Sequence, residues 1–220
     1  ASEDGCISVW DVEKHDCIRT LPCSTARLVG CRFLGGSKLY EYGIAGAGTD
    51  GLTNVWDLRR PAELKRIPGP DAARCLDCHG GMHLLTVGFD NGQINVLDMR
   101  KWRELQRLDV RPHLRPQTNP QSILAIPPQS NPQSVACWTL ACSPTGAFLA
   151  AGALDGKLLI FDISGDCRTA PQVAQHHTDA ISAIAWFQRP DWGPPNNSNS
   201  QQCLACASLD GSWTCWDHQR

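Results

Sequence analysis

Apolar and polar positions alternate with a period of two in a set of short runs, and the same run keeps returning. Cys6–Asp11 reads Cys-Ile-Ser-Val-Trp-Asp, and Leu52–Asp57, Gln93–Asp98, Lys157–Asp162 and Ser212–Asp217 follow the same plan. Successive side chains on a strand point to opposite faces, so this alternation predicts strands and not helices. Each run is preceded by Asp-Gly or Asn-Gly, where glycine takes a positive φ without steric cost and turns the chain back on itself. Ahead of each later turn lies a run of small and apolar residues, 43–48, 84–89, 148–154 and 204–209. Such runs predict a second strand whose neighbours approach closely. Behind each alternating run come two further strand signals: an outer strand (17–21, 64–67, 105–110, 173–175) and then an inner one (28–33, 74–78, 135–141, 181–187). No segment sustains a 3.6-residue period, so the expected class is all-β.

The turn aspartates stand at positions 4, 50, 90, 155 and 210, and each is followed by an aromatic residue or Leu and then Asp: Trp10-Asp11, Trp56-Asp57, Leu97-Asp98, Phe161-Asp162 and Trp216-Asp217. A repeat of roughly 40–45 residues with this signature predicts a radial array of four-stranded sheets. The two longest intervals hold segments rich in Pro, Gln and Asn, 111–133 and 188–202. Neither has the apolar content to order itself, so both read as flexible insertions. Trp192 is the residue in the second that could anchor a partner. The chain opens almost on top of a turn, which reads as a piece of a longer array.

Composition narrows the function classes. The net charge of −2 and pI near 6.4 do not suit a protein that coats nucleic acid, and no polybasic stretch suggests a membrane surface. No apolar run reaches the roughly 18 residues of a spanning helix. Twelve cysteines lie mostly inside apolar strand patterns. Free Cys behaves there as a small buried hydrophobe, so reduced thiols and a cytoplasmic or nuclear setting are expected.

The repeat resembles the WD-repeat β-propeller family over nearly the whole chain outside the two insertions. The last unit carries the resemblance best, with His177 in a lead-in segment 176–186, Ser208, Asp210-Gly211 and Trp216-Asp217. The family's buried hydrogen-bond network of His, Ser/Thr, Asp and Trp would here be His177, Ser208, Asp210 and Trp216. Other units depart from the pattern. Leu97 and Phe161 replace Trp, and Gly48, Gly88 and Ala153 replace the Ser/Thr, so those units are expected to rely on apolar packing. The family usually has seven blades, which implies that this chain is a C-terminal portion with about two repeats missing upstream.

Strings that suggest chemistry have plainer explanations. Gly46–Gly51 matches G-x-G-x-x-G, but a strand pattern follows instead of a helix, so no nucleotide site is expected. Cys75-Leu-Asp-Cys78-His79 matches a haem-attachment string, yet residues three apart on a strand face opposite ways. Cys203 and Cys206 repeat the spacing on a distant strand, which does not assemble a zinc site with the first pair. No catalytic residue, cofactor or metal is expected.

The expected function is a non-catalytic scaffold that presents propeller rims to protein or peptide partners, without direct nucleic-acid or membrane contact. Two successive units carry Asp-x-Arg after the third strand, Asp57-Leu58-Arg59 and Asp98-Met99-Arg100. Substrate receptors of cullin-RING ubiquitin ligases within the WD-repeat family often show Trp-Asp-x-Arg there, so the resemblance implies adaptor docking as an alternative. A small-ligand or enzymatic propeller is a weaker one. Arg59, Arg60, Arg100 and Trp102 are the candidate partner-binding residues on that rim. A surface ion pair explains the same motif structurally.

Overall fold

A computed structural model of the chain describes residues 1–22, 26–36, 38, 40–60, 62–114, 137–165, 169–188 and 202–218. Trp192 and most of the two predicted insertions lie outside the described residues. The strands are β1 (Cys6–Asp11), β2 (Asp16–Pro22), β3 (Leu28–Phe33), β4 (Gly43–Gly48), β5 (Leu52–Asp57), β6 (Glu63–Pro68), β7 (Ala73–His79), β8 (Leu84–Phe89), β9 (Gln93–Asp98), β10 (Arg103–Asp109), β11 (Cys137–Cys142), β12 (Phe148–Ala153), β13 (Lys157–Asp162), β14 (Gln172–Gln175), β15 (Ile181–Gln188), β16 (Gln202–Ser208) and β17 (Trp213–His218). A single 3₁₀ turn, Arg111–His113, is the only helical piece among the described residues. No helix there is long and apolar enough to cross a membrane.

The strands form antiparallel sheets in sequence order: β1-β2, β3-β4-β5-β6, β7-β8-β9-β10, β11-β12-β13-β14 and β15-β16-β17. The first strands β3, β7, β11 and β15 lie side by side from one sheet to the next. Sheets that meet along their inner strands radiate from a common axis, which is the architecture of a β-propeller.

The repeat extends to irregularities. In all four pairs of first and second strands the register slips once near the start, at Leu28/Gly30, Ala73/Cys75, Cys137/Thr139 and Ile181/Ala183. A bulge at the same place in each copy increases local twist and re-aims one side chain. Arg74 and Trp138 are two of these residues, and the Arg74 guanidinium sits over the Trp138 ring, 5.6 Å from its centroid.

The core lies between sheets. Leu76, Leu85, Val87 and Phe89 pack with Ala45, Ala47 and Val55, while Ile94, Val96 and Leu108 pack with Leu140, Leu149 and Leu159. β9 is covered on both faces, as its nearly continuous burial shows. Glycine permits the closest approaches. A Cβ at Gly46 would lie 2.7 Å from Ile7 Cδ1, and one at Gly152 would lie 2.8 Å from Ile181.

Apolar packing is not the whole account of the units that lack the His–Ser/Thr pattern. In two of the three the turn aspartate is paired with a cation: Asp90 with Arg74, and Asp155 with Lys157 at 3.2 Å. Lys157 is buried and also donates to His113 O at 2.6 Å. A buried ammonium needs such partners, because removing it from water is otherwise unfavourable.

Candidate functional site

Antiparallel connectivity sorts the loops onto two rims. The Asp-Gly turns between second and third strands share one rim with the segments that lead into each sheet. The loops after the first and third strands share the other, and both Asp-x-Arg motifs stand there.

The two motifs fold alike. Asp57 Oδ1 accepts from Arg59 N at 3.0 Å and from Arg59 Nε at 2.9 Å, and Oδ2 accepts from Nη2 at 2.7 Å. Asp98 does the same with Arg100, at 2.8, 3.0 and 3.1 Å. The aspartate thus closes the turn through the backbone and clamps the guanidinium in a planar fork. The Arg59 hydrogen bond holds the Asp57 carboxyl down at about 2. Arg100 lowers Asp98 by the same means. Both arginines stay open to solvent, with side chains 56 % and 58 % exposed.

A neighbouring segment joins the two turns. Tyr42 O accepts from Leu58 N at 2.9 Å, and the Arg59 guanidinium lies 5.0 Å from the Tyr42 ring centroid. Tyr40 OH donates to Met99 O, and its ring meets Trp102 edge-on at 5.6 Å. Trp102 is therefore partly buried against Tyr40, at a positive φ of 51°. Arg60 has an exposed side chain, and its carbonyl accepts from Arg19 Nη2 at 2.5 Å. Arg59, Arg60, Arg100 and Trp102 come together on one rim.

A third Asp-x-Arg has the same form on the opposite rim. Asp109 accepts from Arg111 N and Nε at 2.9 Å each, and from Nη2 at 2.5 Å. Asp109-Val110-Arg111 follows an outer strand and not a third one, so the repeat of the third-strand motif does not single it out.

On the rim of the Asp-Gly turns, His177 is buried at 3 % exposure. Its Nδ1 lies 2.9 Å from Ser212 Oγ and 3.3 Å from Asp210 Oδ2, and its Nε2 lies 2.8 Å from Thr214 Oγ1. Ser212 Oγ donates to Asp210 Oδ1 at 2.6 Å, and Trp216 Nε1 donates to Thr214 Oγ1 at 3.0 Å. One assignment satisfies every group: Trp216 N–H to Thr214, Thr214 O–H to Nε2, Nδ1–H to Ser212, and Ser212 O–H to Asp210. Ser208 bonds elsewhere, donating to Asp179 O at 2.9 Å and accepting from Asp210 N at 3.2 Å. Ser212 and Thr214 carry the links to His177, and the sequence reading had not assigned them. Hydrogen bonds from Ser212 and from the Thr178 and Ser212 amides hold the Asp210 carboxyl far below the usual carboxylate range. The imidazole is buried while Ser212 lies at the surface, and both ring nitrogens are taken up by Ser212, Asp210 and Thr214, which suits packing and not proton transfer to a substrate.

The thiols of Cys75 and Cys78 face different sheets. Cys75 faces the next sheet, with its Sγ 3.9 Å from Cys137 Sγ, whereas Cys78 turns to the preceding sheet and donates to Phe33 O at 3.1 Å. Burial pushes the Cys78 thiol up to about 11 and those of Cys142 and Cys206 up to about 12, so none is an activated thiolate. Among the described residues no group of three or more His, Cys, Asp or Glu side chains could hold a metal ion. The G-x-G-x-x-G string spans β4 and a hairpin turn into β5, without a helix N-terminus for phosphate.

A comparison with curated proteins finds no match. The β-propeller family described as "Nucleolar protein 10-like, N-terminal domain" matches residues 58–218, which include both rims and four of the five sheets in whole or part. This chain belongs to that family.

Proposed function

We propose that this chain is a non-catalytic scaffold of the nucleus that holds protein partners on its Asp-x-Arg rim. The observation that carries the reading is the pair of clamped, exposed guanidiniums of Arg59 and Arg100 at matching positions of successive sheets. Arginine on a rigid support is a favoured anchor at protein interfaces, because little freedom remains to be lost on binding. Arg60 and Trp102 extend the same surface, and Trp192 is a further partner anchor proposed from the sequence of the 188–202 segment alone. The buried thiols and the self-satisfied His177 network support a structural task over a chemical one. The family's name supports the nuclear setting.

The test is crosslinking mass spectrometry of the tagged full chain in nuclear extract. Crosslinks from Lys38 and Lys101 to other proteins are expected. A tagged chain that stays at its own monomer mass, without crosslinks, would overturn the reading.

Docking to the adaptor of a cullin-RING ubiquitin ligase is the narrower reading, favoured by the full Trp56-Asp57-Leu58-Arg59 string and the exposed Arg59. The similar fold of Asp109–Arg111 on the other rim argues that the motif also serves simply to close turns. A pull-down with purified adaptor decides it. Binding abolished by Arg59→Ala with Arg100→Ala supports docking, and binding that survives both changes removes it.

A further inference from the structure

Resting on the scaffold reading, we propose that the rim formed by the two Asp-x-Arg turns recognises an acidic peptide segment, whose carboxylates sit end-on against Arg59 and Arg100.

A guanidinium carries five N–H donors in one plane. In each turn the aspartate takes Nε–H and one Nη2–H. The two hydrogens of Nη1 and the second of Nη2 make no hydrogen bond to a described residue. Two of these three lie parallel on the outer edge, the spacing that matches the two oxygens of a carboxylate. The aspartate therefore leaves a prepared fork on the guanidinium, facing out.

The forks are fixed relative to one another. The 40–42 segment grips the first turn through Tyr42 and the second through Tyr40. Apolar side chains stand exposed on the same rim: Phe33 at 60 %, Met82 at 51 % and Tyr42 at 44 %. Arg60 and Lys101 add positive charge beside the clamped pairs, which are themselves near neutral. A peptide that alternates carboxylates with apolar residues complements this mixture.

Nucleic acid fits it less well. A phosphate backbone is tracked by an unbroken basic strip, whereas Asp57, Asp98 and Glu41 interrupt this one. Bases stack on successive open aromatic faces, but Arg59 covers Tyr42 and Tyr40 packs on Trp102, which leaves Phe33 as the single open ring among the aromatic side chains named on this rim.

The experiment is fluorescence anisotropy with the full chain and three labelled probes: a short peptide alternating Glu or Asp with Leu, its Gln/Asn counterpart, and a single-stranded RNA oligonucleotide. Saturable binding of the acidic peptide is expected, with the amide counterpart weaker by about tenfold or more. Arg59→Lys with Arg100→Lys keeps the charge but loses the fork, and is expected to weaken binding by about tenfold. No saturable binding of the acidic peptide, equal binding by the Lys variant, or preference for the RNA overturns the proposal. A second measurement needs no variant. Phenylglyoxal modification of the unaltered chain, read by mass spectrometry, is expected to slow at Arg59 and Arg100 when the acidic peptide is saturating, and equal rates overturn the proposal. If nuclear partners are recovered but this peptide is not held, only the peptide assignment falls. If the peptide is held but no partner is recovered, the scaffold reading falls.

Discussion

Asp77 Oδ2 accepts the backbone N–H of Cys142 at 2.8 Å, joining the first strand of one sheet to that of the next. On its other side, Oδ1 accepts from Arg32 Nε at 3.1 Å, so one carboxylate ties three successive sheets together. The two bonds are not equal. Arg32 is half exposed, and an exposed ion pair contributes little against water and salt. The Cys142 amide is an obligatory donor in a part-buried place, and leaving it without an acceptor costs about 1–3 kcal/mol. Asp77→Ala should therefore lower the unfolding free energy by about 1–3 kcal/mol, and Arg32→Ala by less than about 1 kcal/mol. Urea unfolding of the two variants measures the difference, and equal losses would contradict this division of labour.

His177 joins three other side chains, Ser212, Asp210 and Thr214, from its buried position. His177→Ala leaves Thr214, Ser212 and Asp210 without their common partner, which should destabilise the chain by about 2 kcal/mol or more. Trp216→Phe removes only one donor, to Thr214, and should cost about 1 kcal/mol. A smaller loss for His177→Ala than for Trp216→Phe would show that the imidazole is not the hub. Denaturant melts followed by tryptophan fluorescence suit the first variant, and circular dichroism suits the second.

The strands themselves were legible because their causes are local. Alternation in 52–57 or 93–98 is visible within six residues, and the glycine at the turn needs its positive φ whatever surrounds it, as at Gly51 (77°) and Gly92 (77°). The ties between sheets were not legible. Asp77 meets Cys142 across 65 residues, Tyr40 meets Met99 across 59, and Arg19 meets Leu58 across 39. Nothing near Asp77 in sequence announces an acceptor, since the need arises only when β11 is laid beside β7. The site was half legible. Arg59 and Arg100 stood out by their repeated string, but Tyr40 and Tyr42, which join the turns, sit in a loop without any signature. Similarly, Ser208 matched a family pattern, while Ser212 and Thr214 reach His177 only through the register of β16 on β17.

Gly80 marks where two loops on the Asp-x-Arg rim touch. A Cβ there would lie 1.4 Å from Gly35 O, and Gly36, beside it, has φ of +99°. Backbone cannot swing away as a side-chain tip can, so Gly80→Ala forces the loops apart. It should destabilise by about 1–3 kcal/mol, the range for overpacking. Gly165→Ala is the matched control, with no described residue within 4 Å of its added methyl, and should stay within about 0.5 kcal/mol of the unaltered chain. Thermal melts of the two variants compare them directly.

Acid should loosen the Asp-x-Arg rim. The Asp57 carboxyl sits at about 2 in the fold because Arg59 bonds its ionised form, against 3.8 ordinarily. A depressed carboxyl adds stability above its unfolded value and loses it as pH falls through the folded one. The contribution is present above about pH 4 and fades between about pH 4 and pH 2. Asp57→Asn should flatten this part of the stability curve, measured by melting temperature against pH. An unchanged acid limb would mean that the clamp contributes nothing to folding.

Alkali acts through the thiols with the opposite sign. Burial raises Cys78 to about 11, and Cys142 and Cys206 to about 12, from an ordinary 9.0. Between these values the unfolded chain has released thiol protons that the fold retains, so the unfolded state binds fewer protons and stability falls as pH rises. Stability should hold up to about pH 9 and then decline towards pH 12, and replacing Cys142 and Cys206 with Ala should make the decline shallower, whatever it does to the plateau. The same burial sets the order of reaction with iodoacetamide at pH 8. Cys17 and Cys215 are exposed and should be labelled first, while Cys75, Cys137 and Cys142 should wait on unfolding. Peptide mapping after a short pulse reads this order, and early labelling of Cys142 would contradict both the burial of its thiol and the alkaline limb derived from it.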